Sequence, residues 1–311
     1  MQSIQRHKTL MFMAISAILL VSCNTDRPED MKKEFALSTR VQSLDYGGTS
    51  IWGTEAELGV FVTKPGTLIV TEENFNLRYT TTFQTQATEL TPAGEKMSLP
   101  EKGELVDILI YYPYNSSLAA KDNRNTIYNV DLHDQDAREP EILLIGMQSD
   151  CSSTINSATV SLRPVFAKLN VRLRNEMATK SATQDIQLHI EKIRCKVEVD
   201  ILTGEYLSYG AAEDTRMLKP MENIYAYEAI LPAQELDKDT KLKVIFPESI
   251  GIESLELNLI ESLTTLEQNC QYDLEVTVSP EGIRAVLVSM SEFSISDWYE
   301  DTDGIFGNIK H

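Results

Sequence analysis

Apolar and polar residues alternate in short runs along most of this chain, with a period of two rather than 3.6. Segment 168–174 (KLNVRLR) is the clearest case: Leu169, Val171 and Leu173 point one way, and Lys168, Asn170, Arg172 and Arg174 the other. A half-buried strand needs that alternation. Alternation or short β-rich runs predict a first strand over 35–41 (FALSTRV), then strands at 57–63, 66–70, 75–82, 104–112, 126–132 and 141–146. They continue at 158–163, 166–174, 186–201, 224–231, 241–246, 254–260, 272–279 and 283–289. No segment carries a long helical stripe, and 211–221 (AAEDTRMLKPM) offers one helical turn at most. Many short strands without helices between them make sandwiches or barrels, so the fold class expected is all-β. Polar turn material lies at 115–125, 133–140 and 147–157. The last of these divides the fold into an N-terminal domain, 35–155, and a C-terminal domain, 156–311.

The N-terminus follows a different pattern. Residues 1–8 carry Arg6 and Lys8 and no acid, Leu10 to Val21 is apolar except for Ser16, and Ser22-Cys23 leads straight into polar sequence. A basic start, an apolar run and a small residue before the cut make a secretory signal, here 1–22. The run is shorter than the roughly 20 residues a spanning helix needs. Leu20-Val21-Ser22-Cys23 also resembles a lipobox, which makes Cys23 the lipidated first residue of the mature chain and its link to the outer membrane. The plainer alternative is an ordinary signal peptide with an incidental cysteine. Residues 23–34, charged and containing Pro28, read as a tether between lipid and fold.

Charge narrows the partners. Losing residues 1–22 removes two basic residues and no acids, leaving 26 basic against 47 acidic residues and a formal charge of −21. Nucleic acid is excluded as a partner, because phosphate binding needs a basic face. Electrostatic docking on anionic lipid is disfavoured for the same reason. Beyond Cys23 there remain Cys151, Cys195 and Cys270, an odd number with no CxxC pair. They read as buried thiols or at most one bridge, and not as a metal site.

Candidate chemistry is sparse. His7 leaves with the signal, His311 is the last residue, His133 falls in a predicted loop and His189 in a predicted strand. No HExxH, GxSxG, phosphate loop or GxGxxG is present, so no enzyme, cofactor or metal is expected. Asp131, Asp134 and Asp136 offer calcium oxygens, but without the D-x-D-x-D-G spacing an acidic turn is the commoner outcome. Asp301 and Asp303 before Gly304 lack the closing glutamate. Tyr111, Tyr112, Tyr114, Tyr225 and Tyr227 form either a sugar-stacking platform or part of the core, and aromatics on strands are usually core.

The order of the segments is more specific than any one of them. Leu58-Gly59-Val60-Phe61-Val62 follows Trp52 and precedes Asn76-Leu77-Arg78-Tyr79-Thr80. An apolar strand ends in Tyr112-Pro113-Tyr114; Asp131 to Gln135 is followed by Glu141-Ile142-Leu143-Leu144. Val160-Ser161-Leu162 leads through Phe166-Ala167-Lys168-Leu169-Asn170-Val171. The chain closes with Gln271-Tyr272-Asp273-Leu274-Glu275-Val276 and Ile295-Ser296-Asp297-Trp298. This string resembles the fimbrillin family of Bacteroidales, the FimA/Mfa-like subunits of surface fimbriae. Two departures are Arg163-Pro164, where relatives carry Phe and then His, and Asn269-Cys270 in place of a Gly before the Tyr.

The resemblance implies two transthyretin-like Greek-key β-sandwich domains in a non-enzymatic structural or adhesive subunit at the cell surface. It implies travel as a lipoprotein, then a cut after an arginine near the start, which empties an edge groove for a strand from a neighbouring subunit. Arg40, followed by Val41, sits where that cut falls; the alternative is an ordinary exposed strand arginine. The donor strand is expected within 283–298, with Val286, Val288, Phe293 and Ile295 as its apolar candidates. The partners implied are other fimbrial subunits, self or related, and a host or bacterial surface ligand. The rival reading is a surface lipoprotein that binds glycan and does not polymerise.

Overall fold

A computed structural model describes residues 35–41, 56–81, 88–100, 103–119, 125–135, 142–155, 157–177, 186–217, 225–248, 251 and 254–293. The fold is all-β: besides strands, the described residues form only short 3-10 turns, at Glu72–Asn74, Ser116–Ala119 and Leu259–Glu261. The strands in the first part are β1 (Ala36–Val41), β2 (Ala56–Thr63), β3 (Leu77–Thr81), β4 (Thr88–Glu89), β5 (Thr91–Pro92), β6 (Val106–Tyr112), β7 (Ile127–Asp131), β8 (Leu144–Cys151) and β9 (Ser157–Pro164). They continue as β10 (Phe166–Asn175), β11 (Gln187–Arg194), β12 (Lys196–Asp200), β13 (Tyr206–Tyr209), β14 (Ala212–Arg216), β15 (Ala226–Pro232) and β16 (Gln234–Glu235). The last are β17 (Lys241–Ile245), β18 (Ser254–Asn258), β19 (Thr265–Leu266), β20 (Cys270–Ser279) and β21 (Gly282–Glu292).

Eight strands form one sheet, ordered β4-β1-β9-β8-β6-β2-β3-β5. Its middle strands are nearly continuous apolar runs, AELGVFVT and VDILIYY, because both of their faces are covered. The two end strands, β4 and β5, are separated in sequence only by Leu90. Leu90 N–H donates to Leu37 O (2.8 Å) on β1, and Ala93 N–H donates to Arg78 O (2.9 Å) on β3. One short segment therefore bonds to both ends of the sheet, which folds back round its own core. On the adjacent strands β2 and β6 Gly59 stands opposite Tyr111, and a methyl group on Gly59 would lie 1.9 Å from the tyrosine ring. The missing side chain lets Tyr111 lie over β2 and pack on Phe61, ring centroids 5.9 Å apart, and on Tyr128, 6.2 Å apart.

The second half holds two four-stranded sheets, β15-β10-β20-β21 and β14-β11-β17-β18. The alternation at 168–174 is realised in β10, whose Leu169, Val171 and Leu173 are buried. Its polar face is also partly enclosed. Lys168 pairs with Glu228 at 2.7 Å, both nearly buried, and Asp273 accepts bonds from Asn170 (2.8 Å), Gln271 (3.3 Å) and the Ser289 hydroxyl.

Early and late sequence are stitched together. Strand β7 pairs with β12 in the sheet β13-β12-β7. The buried Gln135 side chain donates to Leu132 O (2.9 Å) and Ile230 O (2.8 Å) and accepts from Ile230 N–H (2.9 Å). It thereby occupies the backbone edge of β15 as a strand would.

Four sequence expectations change. The polar stretch 147–157 is not mainly a turn: β8 runs on through Cys151, its residues 147–150 polar or exposed because they face solvent, and only a short turn precedes β9. Strand β9 then lies between β1 and β8 in the first sheet. Residues 211–221 hold strand β14 instead of a helical turn, since Thr215 pairs with Ile190 and its hydroxyl donates to His133 O (2.8 Å). The stretch 186–201 is two strands broken at Cys195, where Gln234 bonds both the N–H and the carbonyl of Arg194 (3.1 and 2.9 Å). Residues 66–70 form a turn, with a single bridge from Val70 to Thr63.

Candidate assembly site

Strand β1 owes its place to alternation. Leu37, Thr39 and Val41 are buried while Arg40 is exposed. On one side β1 runs parallel to β9, with Ala36 opposite Ser157 and Val41 opposite Leu162. On the other side its ladder partners among the described residues are two residues of β4, Ser38 opposite Glu89 and Thr39 opposite Thr88. Side chains reinforce the parallel side. Thr39 Oγ1 donates to Val160 O (3.0 Å), Ser38 Oγ to Ala158 O (3.2 Å), and Arg40 Nε to Ser161 Oγ (2.7 Å). Leu37 and Val41 each contribute about 1.5–3 kcal/mol by burial. Thus β1 is a plug: one strand of six residues filling a slot between β9 and β4, with an accessible arginine at its far end.

Strand β21 is the opposite kind of element. It is the last strand of its sheet and pairs antiparallel with β20 from Cys270 opposite Glu292 to Ser279 opposite Gly282, with a bulge beside Asp273. Val286, Val288 and Met290 are 58%, 51% and 58% exposed. Their i, i+2, i+4 spacing equals that of Leu37, Thr39 and Val41. Ser262 Oγ donates to Ala285 O (3.0 Å) along this strand.

Of the residues singled out by sequence, Arg40 and Val41 lie together on β1, and Val286 and Val288 on β21, in a different sheet. Phe293 is buried, and its N–H donates to Asn269 O (2.8 Å). Cys23, Ile295, Asp136, Asp301 and Asp303 lie outside the described residues. Leu37 and Thr39 on β1, Met290 on β21 and Ser161 on the neighbouring β9 are further residues of the site that the sequence does not single out. Alternation with Val41 and with Val288 was the available signal for three of them; nothing in the sequence pairs Arg40 with Ser161.

The other candidates resolve as structural parts. Tyr111 and Tyr227 are core residues, their hydroxyls bonded to Asn76 Oδ1 (2.7 Å) and Ile186 O (2.8 Å), so they form no sugar-stacking platform. Burial pushes both phenols well above their ordinary range. Asp131 accepts from His133 N–H (3.0 Å) and faces Lys196 at 3.8 Å. Among the described residues, no three of His, Cys, Asp and Glu gather as metal ligands. Cys151, Cys195 and Cys270 are free thiols. Burial first, then the carboxylates of Glu213 and Asp131, push the Cys195 thiol up to about 12. Asn269, the residue in the place of a glycine, has φ 57°, a left-handed backbone that asparagine tolerates better than most side chains.

Comparison with known proteins agrees with this architecture. A candidate cell adhesion protein from Bacteroides uniformis superposes with a TM-score of 0.69 at 16% identity, covering 85% of this chain and 99% of that one. One from Bacteroides ovatus gives 0.67 at 14% identity, with the same coverage of 85% and 99%. The tip fimbrial protein Mfa3 from Porphyromonas gingivalis, truncated at its C-terminus, gives 0.52 at 10% identity, covering 83% and 99%. At such identities these likenesses speak to the fold. A sequence search of curated proteins found no match. The family profile described as fimbrillin-like matches residues 39–298, from within β1 to beyond β21, and the chain belongs to that family.

Proposed function

We propose that this chain is a structural or adhesive subunit of cell-surface fimbriae, made as an outer-membrane lipoprotein on Cys23 and assembled by strand addition after a cut between Arg40 and Val41. The observation that carries the reading is the plug geometry of β1. It fills an interior slot of the first sheet, makes a six-residue parallel ladder with β9, pairs with β4 through two residues among those described, and carries an exposed arginine next to its last residue. Cutting after Arg40 severs Ala36–Arg40 from the rest of the chain. What holds them is then non-covalent, and a strand with apolar residues two apart competes for the same pockets. Val286, Val288 and Met290 of β21 have that spacing. In this reading the partner is another fimbrial subunit, self or related, and the chain comprises two transthyretin-like sandwich domains. It binds a host or bacterial surface and catalyses no reaction. The burial of Tyr111 and Tyr227 takes two of the five tyrosines out of the platform that the glycan-binding alternative needs.

The test compares wild type with Arg40→Ala. Filaments whose subunits begin at Val41 are expected from the wild type. The variant should keep an acylated Cys23 and form no filaments. Filaments built from uncut Arg40→Ala chains would overturn the proposal.

A further inference from the structure

One end of the first sheet presents an apolar rim. Four neighbouring strands end there. The hairpin tip after β2 carries Leu68 and Ile69, the approach to β6 carries Leu105, and the turn between β8 and β9 carries Ile155. Register places them together: Thr63 pairs with Asp107, Val106 with Cys151, and Ser157 with Ala36. Asp107, buried, ties the loops to one another by accepting from Gly66 N–H (2.8 Å) and Asp150 N–H (3.0 Å). The four apolar side chains are 50%, 58%, 43% and 54% exposed. Loop tips facing water are ordinarily polar, and an apolar group of this kind marks a contact surface.

The chain itself indicates what covers it. Phe35 opens β1 at this same rim, and Cys23 precedes it by twelve residues. At no more than about 3.6 Å per residue, an acyl group on Cys23 keeps Phe35 within about 43 Å of the bilayer. The tether therefore joins the fold at the end of the sheet that carries the apolar rim.

We propose that the rim of Leu68, Ile69, Leu105 and Ile155 is the surface on which the lipidated precursor rests against the membrane. The inference builds on the lipidation of Cys23. Glu104 and Asp150 flank the apolar residues, and the mature chain carries a formal charge of −21. The lipid surface that fits is thus zwitterionic, held by shallow apolar insertion rather than by headgroup charge. Contact there fixes the orientation of the subunit before processing. Once the cut at Arg40 frees the fold from its tether, the rim leaves the membrane with it.

Hydrogen exchange read by mass spectrometry tests this on the whole precursor. Lipidated protein on phosphatidylcholine vesicles is compared with the unlipidated Cys23→Ser chain in solution. Exchange of 64–70, 103–105 and 152–155 should slow by about fivefold on vesicles while β21 is unchanged. Leu68→Glu with Ile155→Glu should abolish the slowing. Equal exchange at the rim in both samples would overturn the proposal. So would slowing at the rim in concentrated Cys23→Ser protein without vesicles, which would make the rim a contact between copies. An unacylated Cys23 in the mass spectrum would sink the lipoprotein reading instead. A polyhistidine tag replacing residues 1–22, bound to nickel-chelating lipid, then tests the rim with the same tether.

Discussion

Strands β1 and β21 are both simple to describe and opposite in construction. The six residues of β1 lie inside a sheet, in parallel register with a strand about 120 positions away in sequence, and bury Leu37, Thr39 and Val41. The eleven residues of β21 lie at a sheet edge, paired with the strand just before them at every residue but the bulged Val288, and leave Val286, Val288 and Met290 in solvent. A short parallel strand holds itself weakly through its backbone and depends on its inward side chains. A long antiparallel hairpin holds itself through its ladder and leaves its outward side chains free for other use. The first construction suits an element that must come out; the second suits one that can present an apolar row without coming apart.

The same substitution should therefore act very differently on the two strands. Leu37→Asp places a carboxylate in a pocket where Leu37 is 3% exposed. The cost combines a lost apolar contact with a buried charge and should reach about 4 kcal/mol. It would be read as a large drop in the urea midpoint of the precursor. A small drop would mean that β1 already leaves its slot in the uncut chain, and the contrast would have to be drawn differently.

The foundation under β21 can be broken separately. Lys168 and Glu228 face each other at 2.7 Å, nearly buried, in the sheet that β21 borders. Lys168→Met leaves the Glu228 carboxylate without its cation and should cost about 3 kcal/mol. Lys168→Met with Glu228→Leu should recover most of that loss, because two apolar side chains replace the pair without an orphaned charge. If the double variant is no better than the single one, the surrounding polar groups around Asp273, not the pair, hold this face together. Either result separates the rigidity of the sheet from the exposure of its last strand.

Much of this contrast was legible in the sequence, and the illegible part has a physical reason. Alternation revealed β10, β20 and β21, since each has neighbours that make one face dry and the other wet or polar. It also placed Arg40 within a first strand over 35–41. It held no information on pairing: nothing in 35–41 says that its partner is 157–162, because parallel neighbours share no turn. Gln135 reads as a loop glutamine, and its role at Ile230 exists only once β15 lies beside it. The break at Cys195 is invisible because both flanking strands alternate in the same way, and Gln234 that caps the break lies 40 residues on. For the assembly site, Arg40 and Val288 could be named from the chain; the slot that gives Arg40 its meaning could not.

The smallest expected effect is the most discriminating. Val288 is 51% exposed at the bulge of β21, so Val288→Asp removes no core contact. Its change in stability should fall within about 0.5 kcal/mol. The urea midpoint should thus match wild type, while filament yield from cut protein falls, because an acidic residue at the middle of the apolar row cannot enter a slot shaped for Thr39. A midpoint lowered as far as by Leu37→Asp would show that β21 is packed as tightly as β1 and offers nothing outward. An unchanged midpoint with unchanged filaments would leave the two strands different in construction but would move the donor elsewhere in the chain. Only an unchanged fold with lost assembly matches a strand that is stable through its ladder and functional through its exposed face.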